Sequence, residues 1–153
     1  MKKYKFWLVM ICSVISIVHF SAQGLPLFHN IDESLNKAKN EEKNILMIFS
    51  GSDWCKPCIH LRKNIIETKI FRDYAINNLV ILELDFPYSR KNRLSKEQIK
   101  HNEKLAEIYN KEGAFPKMIL LRSDQRTLGT VQYQKKYDSN DLVRQIKKLS
   151  QYE

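Results

Sequence analysis

Apolar residues fall along this chain in two patterns, continuous runs and helical stripes, and the two alternate. "NILMIFS" (44–50) and "LVILELDF" (79–86) are unbroken runs, as expected of strands covered on both faces. Before the first, Leu35 and Ala38 recur at helical spacing in "NIDESLNKAKNEEKN" (30–44), which opens with capping residues. A second helical stretch starts at the cysteines and runs to about Glu67, and Thr68 caps its continuation, "KIFRDYAINN". A long excursion then leads into a third helix. Ser95 and Gln98 have the spacing of a capping box there, and Leu94 and Ile99 that of a hydrophobic staple. "KMILLRS" (117–123) and "TLGTVQYQ" (127–134) read as two strands joined by a short turn at Asp124 and Gln125. Leu142, Val143, Ile146 and Leu149 place one apolar stripe on a last helix, with basic residues in its final turns. A short strand is expected around Leu25 to Phe28.

This order predicts an α/β protein: a central mixed, mostly parallel β-sheet flanked by helices on both faces. At 153 residues the chain fits one domain. It is long enough to bury a core without structural disulfides.

The first residues add a second segment. Lys2, Lys3 and Lys5 precede a nearly all-apolar stretch from Phe6 to Phe20, and small or polar residues follow. That layout predicts a secretory signal peptide over 1–23, with 24–153 as the mature domain. The apolar stretch is short for a spanning helix, and an uncleaved membrane anchor is the alternative. Removing the signal takes Cys12 with it, leaves Cys55 and Cys58, and lowers the formal charge from +9 to +6. Export, to the periplasm in a bacterium, puts the remaining pair where disulfides persist. The mature charge is modest and its basic residues are spread over several helices, which argues against a nucleic-acid partner. The one dense basic cluster, "YSRKNRLSK" (88–96), reads as a solvated loop.

Cys55 and Cys58 lie in "FSGSDWCKPCIH" (49–60). Haem attachment wants a histidine directly after the second cysteine, and Ile59 stands there. A structural zinc site wants four ligands, and no second pair at ligand spacing exists. A purely structural disulfide would close a very small loop and remove little chain entropy. A redox pair accounts for more of the neighbourhood. Cys55 follows a buried strand and opens a helix, whose free N–H groups stabilise a thiolate. Lys56 adds a cation beside it, and Pro57 falls in the first turn, where a missing N–H does no harm. Cys55 is expected to be the exposed attacking thiol, with Cys58 deeper and resolving.

With "WCKPC" after an apolar strand, and "GAFPKMILL" (113–121) ahead of the next main strand, the chain resembles the thioredoxin superfamily. "SGSDWC" and "LELDFP" are similar to secreted bacterial members of it. The resemblance implies the thioredoxin fold over 24–153, a cis peptide before Pro116, and a substrate chain that pairs with the backbone of Phe115. Trp54, Lys56, Pro57, Phe115 and Pro116 are then the expected substrate-binding residues around catalytic Cys55 and Cys58. The superfamily's buried aspartate, six residues before the first cysteine, falls on Phe49, and the lysine facing it falls on Ile81. The implied activity is thiol–disulfide exchange with protein thiols and disulfides, without a cofactor or metal, recharged by a membrane or soluble redox partner. The alternatives are an oxidase or isomerase of secreted proteins, or a non-enzymatic metallochaperone or folding adaptor on the same fold. His60 reads as a surface histidine, and the tyrosines around "VQYQKKY" as packing.

Overall fold

The run read as the first long strand, β2 (Asn44–Ser50), forms the middle of a five-stranded sheet. A computed structural model of the protein describes residues 24–151, so the signal peptide expected over 1–23 lies outside the described residues. The strand order is β1 (Leu27–Phe28), β3 (Leu79–Asp85), β2, β4 (Lys117–Leu121), β5 (Thr127–Val131). β3 runs parallel to β1 and β2, while β4 is antiparallel to β2 and β5. The sheet is mixed, with parallel pairing on one side of β2 and antiparallel pairing on the other.

Alternation along β2 divides the core in two. Ile45, Met47 and Phe49 pack with residues of α1 (Ile31–Asn40) and α4 (Lys96–Tyr109) on one face. Leu46 and Ile48 pack on the other with residues of α2 (Lys56–Leu61), α3 (Lys69–Asn78) and α5 (Ser139–Ser150). Both faces of β2 and β3 are covered, which is why these strands read as unbroken apolar runs.

Caps start the helices where the sequence puts them. Asn30 accepts from the amides of Asp32 and Glu33, and Thr68 from that of Phe71. Ser95 accepts from the Gln98 amide at 3.1 Å, but the return bond of a capping box is not made. The Gln98 side chain instead donates to the His29 carbonyl at 2.8 Å and to Asn102 Oδ1 at 2.7 Å. The complete capping box is at α5, between Asp138 and Asp141. α2 does not stop at Leu61 but widens into a π-helical turn over Arg62–Ile66. The β4–β5 turn is where it was expected, with Gln125 at φ +70° and its amide bonded to the Arg122 carbonyl.

Candidate active site

Cys55 is the N-cap of α2, and its Sγ accepts the Cys58 amide at 3.2 Å. The two cysteines are joined by a disulfide, with Cα atoms 5.2 Å apart. Pro57 lies in the first turn, as expected. The helix start presents free N–H groups to the sulfur of Cys55, the arrangement that favours a thiolate. The expected difference in exposure is not seen in this bonded state: Cys55 is 4% exposed and Cys58 3%. The bond holds both sulfurs under the same cover.

One flank of the pair is closed in the sense that its polar groups bond one another, while Trp54 there remains 48% exposed. Ser52 donates its amide and hydroxyl to the two carboxylate oxygens of Asp85, at 2.8 and 2.6 Å. Asp53 accepts the amides of Tyr88 and Ser89 and the side-chain amide of Asn92, at 2.8, 2.9 and 2.9 Å. These bonds, that from Tyr88 foremost, hold the Asp53 carboxyl below its ordinary value. The Trp54 indole donates to the Phe86 carbonyl at 2.7 Å. Phe115 meets the rings of Trp54 and Phe86 edge-on, each at 5.4 Å between centroids. Gly51 makes room for this wall, since a Cβ there would lie 2.4 Å from the indole. The stretches "SGSDWC" and "LELDFP", far apart in sequence, are thus one hydrogen-bonded unit.

The Phe115–Pro116 peptide is cis. The loop before it is shaped by buried Asn110, whose side chain donates to the Ala114 carbonyl at 2.9 Å and accepts its amide at 3.0 Å. Gly113, at φ +63°, makes the turn in between. Lys117, directly after the proline, is paired with Glu112.

The other flank is open. A groove of about 700 Å³ runs between Lys56, Pro57 and His60 on the active-site helix and Phe115 and Pro116 on the proline loop. The segment after β5 closes it with Tyr133, Gln134 and Lys135. The Tyr133 hydroxyl and His60 Nδ1 are 2.8 Å apart. Among the described residues, neither Lys56 nor Lys135 makes an ion pair. Of the residues expected to bind substrate, Lys56, Pro57, Phe115 and Pro116 line the groove. Trp54 does not line this groove but stands exposed beside Phe115, which does. Sequence reasoning passed over His60 and Tyr133. The available signal was position: His60 is two residues beyond Cys58, and Tyr133 lies just past β5, the neighbour of the strand that Pro116 precedes.

Beneath Cys58 the expected alignment is corrected. Phe49 lies on the far face of the sheet, in the core built with α1 and α4, and stacks on Phe86. Ile48 is the β2 residue on the side of Cys58, where both line a small cavity with Arg62 and Glu83. Across the strands Ile48 pairs with Glu83, and Ile81 with Leu46. Ser50 lines the same cavity, so the residues on either side of Phe49 face Cys58 and Phe49 itself faces away, as neighbours in a strand must. Glu83 is 9% exposed, and its carboxylate is paired with Arg62, one turn beyond Cys58. An acid does reside under the second cysteine, on β3 rather than β2, and it is neutralised by a guanidinium.

Comparison with known proteins agrees with this geometry. The family model of the thioredoxin-like domain matches residues 31–147. The chain is similar to the disulfide bond reductase DsbH of Chlamydia pneumoniae, with 31% identity over 67% of this chain and 60% of that protein. It is similar to the thioredoxin-related protein DsbJ of the same organism, with 33% identity over 63% of this chain but 27% of that one. It therefore spans less than two thirds of both curated relatives. A solved DsbH oxidoreductase superposes with a TM-score of 0.75 at 27% identity, covering 86% of this chain and 88% of that one.

Proposed function

This chain belongs to the thioredoxin-like family, and from that premise we propose that it is a thiol–disulfide oxidoreductase acting on protein substrates through Cys55 and Cys58. The observation that carries the reading is the Cys55–Cys58 disulfide at the start of α2, with Cys55 Sγ capping the helix beside the cis Phe115–Pro116 bond. The name of its relative DsbH, a disulfide bond reductase, supports the same reading.

In the reducing direction the Cys55 thiolate attacks one sulfur of a substrate disulfide. That bond breaks, a mixed disulfide forms, and one substrate thiolate leaves. Cys58, once deprotonated, attacks Cys55 Sγ and releases the second substrate thiolate. The substrate gains two electrons, and the protein is left with the Cys55–Cys58 bond. A partner dithiol then reduces that bond by the same steps in reverse. Run backwards on a substrate dithiol, the cycle oxidises it. The potential of the pair against its partner sets the direction.

The charged and apolar pattern of residues 1–23 supports export, so the exchange takes place outside the cytoplasm, with a membrane-bound or soluble redox protein as the recharging partner. The assignment of roles is tested by trapping. Cys58→Ser is expected to accumulate mixed disulfides with client proteins, seen on non-reducing gels, and Cys55→Ser to accumulate none. Equal trapping by both variants overturns the assignment.

A further inference from the structure

Building on the exchange reading, we propose that the groove beside Cys55 selects disulfides in extended segments that carry a carboxylate near the cystine, with Lys56 and Lys135 reading the acid. The two flanks of the pair offer a bound chain different surfaces. The Trp54–Phe86–Phe115 wall is closed by ring contacts and by the Trp54–Phe86 hydrogen bond. Trp54 at its surface is 48% exposed, and the groove over Lys56, Pro57, Phe115 and Pro116 offers a chain whose sulfur meets Cys55 a surface on the other side.

There the surface is of mixed character. Pro57, Phe115 and Pro116 supply apolar area for the aliphatic part of an extended segment. Lys56 comes from the helix start and Lys135 from the segment after β5, so cations from two elements bound one groove. Among the described residues, no carboxylate lines it. Neither lysine is neutralised by an acid among the described residues. Glu112, near Pro116 in sequence, is paired with Lys117. His60 and Tyr133 occupy each other through the 2.8 Å contact and add no negative charge. Charge complementarity at such a rim discriminates between partners and speeds encounter. It disfavours a lysine-flanked disulfide, because that substrate would add a like charge to two unpaired cations.

The test uses the reduced protein and three disulfides. Two are peptides that differ only in a glutamate or a lysine two residues from the cystine, and the third is a small uncharged disulfide. At low salt the glutamate peptide is expected to react about fivefold faster than the lysine peptide, the scale of a few exposed ion pairs. At about 0.5 M salt the ratio should fall toward one, because the Debye length shortens to a few ångströms. Lys135→Glu is expected to bring the low-salt ratio close to one, since the groove then holds one cation, Lys56, and one anion. Equal rates for the two peptides, with all three substrates reacting, overturn the proposal and leave the exchange reading intact. A preference that survives both high salt and Lys135→Glu also overturns it. No reaction with any of the three would instead overturn the exchange reading itself.

Discussion

The two flanks of the Cys55–Cys58 pair are built on opposite principles. On one side, Ser52, Asp53 and Trp54 are each bonded to the strand end or to the loop that follows β3. On the other, Lys56 and Lys135 face a groove without an ion-pair partner among the described residues. Among the described residues, the His60–Tyr133 contact ties the two sides of that groove through side chains. Satisfied polar groups make the closed flank rigid, because each bond would have to be broken without replacement to move it. The open flank keeps its donors free for something else. One side fixes where the sulfurs are, and the other is left to meet what reacts with them.

Substitutions on each side can break or sharpen this contrast. The largest effect is expected from Gly51→Ala. A Cβ at 2.4 Å from the indole must displace Trp54, and overpacking of this kind costs about 1–3 kcal/mol. Trp54 is the only tryptophan after residue 7, so its fluorescence should shift to the red as the ring leaves the Phe86 carbonyl. Unchanged thermal stability and emission would mean that the wall is looser than its contacts imply. Tyr133→Phe, on the open side, removes one partly exposed hydrogen bond and is expected to cost less than about 1 kcal/mol in denaturant unfolding. A loss equal to that of Gly51→Ala would erase the distinction between the flanks.

The smallest effect on overall stability is expected from Asp53→Ala, whose effect should instead be local and dependent on pH. Bonds from Tyr88 first, and from Asn92 and Ser89, lower the Asp53 carboxyl below 3.8. A lowered folded-state value means that the contribution is fully present above the ordinary value and is lost as pH falls through the folded one. The amide resonances of Tyr88 and Ser89 should therefore stay put down to about pH 4 in the native protein and shift below it. In Asp53→Ala they should already be shifted at neutral pH, with no acid step. An acid step that persists in the variant would assign the tether to another group.

The contrast also explains what the sequence disclosed. β2 and β3 were legible because both of their faces are covered, and the active-site helix because Cys55, Lys56 and Pro57 have the chemistry of a helix start. The face occupied by Phe49 was not legible, because in a strand an offset of one residue exchanges inside for outside. Asp53 could not be linked to Tyr88 or Asn92, which lie 35 and 39 residues away. The His60–Tyr133 pair spans 73 residues. Such contacts depend on which strands become neighbours, and no local periodicity records that. The reading of Ser95 with Gln98 held for the cap and not for the return bond, because the Gln98 side chain bonds His29 and Asn102 instead.

The grip of Asp53 on the excursion draws a boundary within it. Its carboxylate holds positions 88, 89 and 92 and nothing beyond, so the leading part of the segment belongs mechanically to the redox centre. From Arg93 to the start of α4 the chain is on the far side of that clamp. Ser95 at its end has a separate duty, capping α4. A single connection thus answers to two anchors, its leading part to the redox centre and its last residue to the helix it starts.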